Sequence, residues 1–87
     1  MSLVEMILSA GSQDELGQLV DGVERLTTEE FSTLVKVVME TFNLTSRDIA
    51  IELDIAMSTV ERYRKGIAEP APRTRLYMAR RIVEMIH

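Results

Sequence analysis

The stretch from Leu44 to Gly66 constrains this chain more than any other. Apolar residues fall at Ile49, Leu53, Ile55, Val60 and Tyr63, with the small Ala50 beside the first. Ile49, Ala50 and Leu53 share one face of a first short helix by their i, i+1, i+4 spacing. Val60 and Tyr63 stand i, i+3 on a second helix. Ile55 lies in the linker, where it can plug the angle between the two. Ala50 supplies the small side chain that two steeply crossing helices need at closest approach.

These positions form the apolar skeleton of a helix-turn-helix, a motif whose second helix enters the DNA major groove. The stretch resembles the lambda-repressor/Cro-like family. The family pattern runs roughly Thr-Gln-x-Glu-Leu-Ala-x-x-Leu-Gly-Val-Ser-x-Ser-Thr-Ile-x-x-Trp-x-x-Gly. Thr45, Asp48, Ile49, Ala50, Leu53, Ile55, Ser58, Thr59, Val60, Tyr63 and Gly66 match it directly or conservatively, in register and without a gap. Two departures stand out. Asp54 replaces the turn glycine, at a position the resemblance assigns a positive φ, which Asp tolerates for roughly 1 kcal/mol relative to Gly. Ser46 replaces the Gln that opens the first helix and makes phosphate and base contacts in the family. LuxR-type helix-turn-helix domains also fit Leu-Thr-x-x-Asp-Ile-Ala and Thr-Val, but Gly66 and the proline-containing loop after it favour the repressor-like family. Both families bind DNA.

The resemblance implies an all-α domain, a small bundle of about five to six helices that contains the motif. With Val60 and Tyr63 facing inward, the outward residues of the helix over 57–65 are Met57, Ser58, Thr59, Glu61, Arg62 and Lys65. Met57, Ser58 and Thr59 occupy the first turn, the part that reaches base edges in this docking mode. Arg62 is one turn further on, and its guanidinium suits bidentate bonding to guanine O6 and N7. Met57 and the Thr59 methyl suit thymine methyls, while Ser58 suits either a base or a phosphate. Arg64, Lys65, Arg73 and Arg75 read as phosphate contacts flanking the groove, with Ser46 at the start of the first helix. Taken singly, each of these residues has a plainer reading as a solvated surface side chain, and Arg62 has Glu61 and Ser58 as neighbours. Their clustering around an ungapped motif is what favours DNA.

Net charge taken alone points the other way, because the chain carries −4. Its distribution reverses the argument. Residues 1–43 hold two bases against eight acids, whereas residues 61–81 hold seven bases against Glu61 and Glu69. The motif end is the basic end, as an electrostatic footprint for phosphate requires.

The remaining chain reads as helical support. Leu3, Val4, Ile7 and Leu8 make a stripe over 2–9, ended by Gly11 before the N-cap Ser12. Leu16, Leu19, Val20, Val23 and Leu26 make a second stripe over 13–26, weakened by Gly17 and Gly22. Thr27 and Glu30 form a capping box for a helix that runs to about Phe42, with Phe31, Leu34, Val35, Val38, Met39 and Phe42 on one face and Asn43 closing it. After the loop from Gly66 to Pro72, a last helix over 73–86 turns Leu76, Ala79, Ile82, Val83 and Ile86 inward and leaves Tyr77, Met78 and Met85 off that stripe. The whole, residues 1–87, forms one domain, divided into a helical extension over 1–26 and a helix-turn-helix core over 27–87.

Other functions find little support. The 87 residues include no cysteine and one histidine, His87, so no thiolate site, metal cluster, cofactor or catalytic machinery is expected. No apolar run approaches the ~20 residues that span a bilayer, and no secretory signal pattern is present, so a cytoplasmic, nucleoid-associated location without membrane contact is expected. Asp14, Glu15, Asp21 and Glu24 read as a solvated face and not as catalytic carboxylates. The expected function is a sequence-specific DNA-binding regulator, a homodimeric repressor that reads a pseudo-palindromic site. The acidic N-terminal half is its dimer or partner surface and the last helix the other choice. The alternative is a helix-turn-helix-fold adaptor, antitoxin-like or anti-activator, that binds protein and not DNA.

Overall fold

The computed structural model describes residues 1–86; His87 lies outside the described residues. Six helices follow one another, with no strand among the described residues: α1 (Leu3–Ser9), α2 (Gln13–Asp21), α3 (Thr28–Glu40), α4 (Ser46–Leu53), α5 (Met57–Lys65) and α6 (Pro72–Glu84). The expected all-α bundle is present. No helix is long and apolar enough to cross a membrane among the described residues.

Side-chain caps set the first four helix starts. Ser2, Ser12, Thr27 and Thr45 each accept a hydrogen bond from the third amide of the helix that follows. At Thr27 the box is complete, with its own amide donating to Glu30 at 2.8 Å. α2 stops at Asp21, short of the expected end at 26. Gly22 caps it, its amide donating back to Gln18, and the chain runs irregularly from there to the next cap. Pro72 begins α6, one residue earlier than expected, because a proline at the first helical position lacks an amide that would have had no partner anyway.

The long α3 is the central element, in contact with α1, α5 and α6. Phe31, Leu34, Val35 and Val38 are buried along it, and even Ser32 and Thr33 are covered. The division into extension and core does not match this packing. Ile7, Leu16, Val20 and Leu26 are as buried as any residue of the motif and share one cluster with Ile49, Val60, Ala79 and Ile82. α1 lies on α3 and α2 on α6, and Gln13 Nε2 donates to the Val83 carbonyl at 2.9 Å. Residues 1–26 therefore complete the core, with Leu8 the large apolar side chain of α1 left exposed. Met78 and Met85 are likewise packed against the core from α6, leaving Tyr77 as the exposed one of the three off-stripe residues.

Candidate nucleic-acid interface

The turn between α4 and α5 is closed by a residue in the left-handed conformation. Asp54 adopts φ 55° and ψ 49°, in the left-handed region, and closes α4. Its amide donates to the Ile51 carbonyl, and the amide of Ile55 donates to the Ala50 carbonyl at 3.0 Å. That paired pattern is a Schellman closure, built here on Asp in place of Gly. Ile55 is half-buried against the core, plugging the junction as its spacing predicted. Asn43, before α4, also takes a positive φ of 61°. At the other end, Thr45 and Asp48 exchange hydrogen bonds of 2.9 and 3.0 Å. The Thr45 backbone amide, and after it the Thr45 hydroxyl, hold the Asp48 carboxyl below its usual range.

α5 is held on the body by its inner face and its C-terminal end. Val60 is fully buried, and Tyr63 meets Phe31 of α3 edge-to-face at 5.5 Å between ring centres. Ser32 Oγ, also on α3, donates to the Arg64 carbonyl at 3.2 Å. Gly66 ends the helix at φ 75°, with its amide and that of Ile67 returning to Tyr63 and Arg62. The N-terminal end differs. Ala56 makes no side-chain cap, and the amides of Met57 and Ser58 at the helix end have no partner among the described residues. Partial positive charge is thereby left at the turn expected to approach DNA.

The expected contact residues divide into two groups. Met57, Ser58, Arg62 and Lys65 are exposed on α5, and Arg73 is exposed at the start of α6. Thr59 and Ser46 are half-covered. Arg62, Lys65 and Arg73 form no ion pair among the described residues. Glu61, expected to face outward, is half-covered and spent on Arg64, whose Nε lies 2.9 Å from its carboxylate. Hydrogen bonding to Arg64 holds the Glu61 carboxyl below its usual range, and the same bond raises the Arg64 guanidinium.

Arg75 does not belong with the phosphate contacts. It is 8 % exposed, and its guanidinium donates to the carbonyls of Leu26 and Pro70, with Glu69 at 3.5 Å. It ties the α2–α3 linker to the α5–α6 loop from inside. Arg80 and Arg81 are also paired, with Asp21 and Glu52. Of the seven bases counted over residues 61–81, Arg62, Lys65 and Arg73 thus remain unpaired. The structure adds one base that the sequence argument passed over: Arg47, exposed in the first turn of α4 and without an ion pair among the described residues. Its position beside Ser46 at the start of the motif was a signal available in the sequence.

No group of three or more acidic or histidine side chains is placed to hold a metal ion among the described residues. Comparison with protein-family models, with curated proteins and with solved structures finds no match to this chain.

Proposed function

We propose that this protein is a sequence-specific DNA-binding regulator that inserts α5 into the major groove. The observation that carries the proposal is the charge state of the outer face of α5. Its single acid, Glu61, is neutralised by Arg64, so Arg62 and Lys65 stand without ion pairs among the described residues on a helix whose N-terminus has no side-chain cap. Arg62 reads a guanine, Met57 and Thr59 meet thymine methyls, and Ser58, Lys65, Arg73 and the amides at the start of α5 contact phosphates. Ser46 and Arg47 meet the backbone from the start of α4. One such domain makes too few contacts for tight specific binding, so two copies act on a pseudo-palindrome with half-sites about 34 Å apart. Leu8 on α1 and Tyr77 on α6 are large exposed side chains away from the motif and serve that pairing. The protein works in the cytoplasm, on the nucleoid, as a repressor.

The adaptor reading draws on the exposed acids Asp14, Glu24 and Glu29, none of which has an ion-pair partner among the described residues. Selection from random duplex DNA at two salt concentrations decides between them. Enrichment of a pseudo-palindrome, with log K falling steeply against log salt, supports the regulator. Absence of both enrichment and salt-dependent binding at ~50 mM salt sinks it in favour of the adaptor.

A further inference from the structure

The outer side of the α4–α5 junction carries an arrangement that shares Arg47 and Met57 with the DNA reading and adds Ile51 and Asp54, which that reading leaves unused. Arg47, Ala50, Ile51, Asp54, Ile55 and Met57 line one shallow groove there. Ile51 is 69 % exposed and Met57 50 %, so two large apolar side chains stand uncovered in the same groove. Arg47 and Ile51 stand i, i+4 on one face of α4, and Asp54, which closes that helix, lines the same groove beyond them. Neither Arg47 nor Asp54 forms an ion pair among the described residues.

A face that runs positive, apolar, negative is its own complement. Turned about a two-fold axis through Ile51, a second α4 lies antiparallel to the first. Arg47 then meets the partner's Asp54, Asp54 meets the partner's Arg47, and the two isoleucines meet each other. Such reciprocity is what an isologous interface demands. Met57 and Ile55 extend the apolar strip on both sides. Nucleic acid that meets Arg47 and Met57 leaves the Ile51–Asp54 end unmatched, because the Asp54 carboxylate would face phosphate.

We infer that this face takes a second copy of the chain, through Arg47–Asp54 pairs across an Ile51–Ile51 contact. The interface is small and the affinity correspondingly weak, in the range where monomers dominate at low micromolar concentration. The pairing itself needs nothing of the DNA reading, but its regulatory meaning rests on that reading. Met57 opens α5, so two copies joined here bring their α5 N-termini side by side. That spacing is far shorter than the ~34 Å between successive major-groove faces. The paired form is therefore an off-DNA form, populated as the protein accumulates.

Sedimentation equilibrium of the full chain without DNA tests the pairing, with Arg47→Asp, Asp54→Lys and their equimolar mixture run alongside. Wild type is expected to move from monomer to dimer between ~1 and ~100 μM, and each single variant to stay monomeric over that range. The mixture is expected to dimerise again, since the reversed charges then face each other in both arms. Ile51→Lys, on an exposed helical position away from the left-handed turn, is expected to be monomeric with an unchanged melting temperature. It keeps the test valid if Asp54→Lys folds poorly. A monomeric wild type, persistent dimers in Arg47→Asp or Ile51→Lys, or a mixture of folded variants that stays monomeric overturns the inference. None of these outcomes bears on DNA affinity, which the selection experiment reads separately.

Discussion

Replacing Arg75 by Met separates a buried tie from a DNA contact. The change keeps most of the apolar stem and removes the guanidinium that donates to the Leu26 and Pro70 carbonyls. Each hydrogen bond from a charged donor is worth about 1.5–3 kcal/mol net. Relief of a buried charge, whose Nε has no partner, offsets part of that loss. A net destabilisation of about 2–4 kcal/mol follows, out of the roughly 4–13 kcal/mol expected for a chain of this length. For a domain of this size that lowers the melting temperature by roughly 10–25 °C. Arg75→Lys recovers less than half, since an ammonium cannot fork to two carbonyls as the planar guanidinium does. Urea unfolding followed by helical circular dichroism gives the stability change. DNA binding against salt, measured well below the melting temperature, gives the other arm. A buried tie leaves the slope of log K against log salt unchanged, while a phosphate contact lowers it by about 0.9. Unchanged unfolding together with a reduced salt slope would refute the structural role.

Other perturbations test other parts of the molecule. Asp54→Gly removes the left-handed penalty and should stabilise the fold by about 0.5–1 kcal/mol, read as a higher urea midpoint with the same slope. Arg62→Ala should leave the melting temperature unchanged, cost about 1–3 kcal/mol of specific binding and relax preference at one base pair, as read by repeating the selection. The Lys65→Ala protein should weaken binding to all sequences alike and lower the salt slope by about 1. Because Arg64 holds the Glu61 carboxyl low, their pairing is complete above the ordinary glutamate value of about 4.3 and is lost as pH falls through the lowered folded value. Glu61→Gln should accordingly flatten the acid limb of the stability–pH curve below that value, and an unchanged acid limb would count against the pair. Ile7→Ala, far from the motif in sequence, should cost about 2–5 kcal/mol, whereas a loosely attached extension would lose almost nothing.

The motif was legible because its information is local. Ile49, Leu53, Val60 and Tyr63 declare their faces by spacing, whereas the left-handed turn at Asp54 is what the resemblance to the repressor-like pattern implies. Caps at Ser12 and Thr27 are readable for the same reason, each acting three residues away. What stayed hidden depends on distant partners. An arginine carries the same letter whether it snorkels to water or turns inward, and the fate of Arg75 is decided by the carbonyl of Leu26, 49 positions earlier. The stripe of α2 showed that Leu16 and Val20 would be buried but not that α6 would bury them, so residues 1–26 looked separable. Glu61 and Arg64 are an intermediate case. Their i, i+3 spacing allows a pair, yet the positions of Val60 and Tyr63 alone turn Glu61 outward, and Arg64 reads separately as a phosphate contact.

The packing of α2 on α6 sets a schedule for the newborn chain. About 50 residues separate the end of α2 from the start of α6, which at ~5–20 residues per second takes roughly 3–10 seconds to synthesise. During that interval Leu16 and Val20 are already made while Ala79 and Ile82 are not, so α2 waits with its apolar stripe uncovered. The motif over 44–66 is synthesised within the same interval, after the α3 on which it packs. A chain arrested on a C-terminal linker long enough to hold residues 1–71 outside the exit tunnel should therefore protect Val60 and Tyr63 from protease before it protects Leu16. The last part of the protein to become native is then near its beginning.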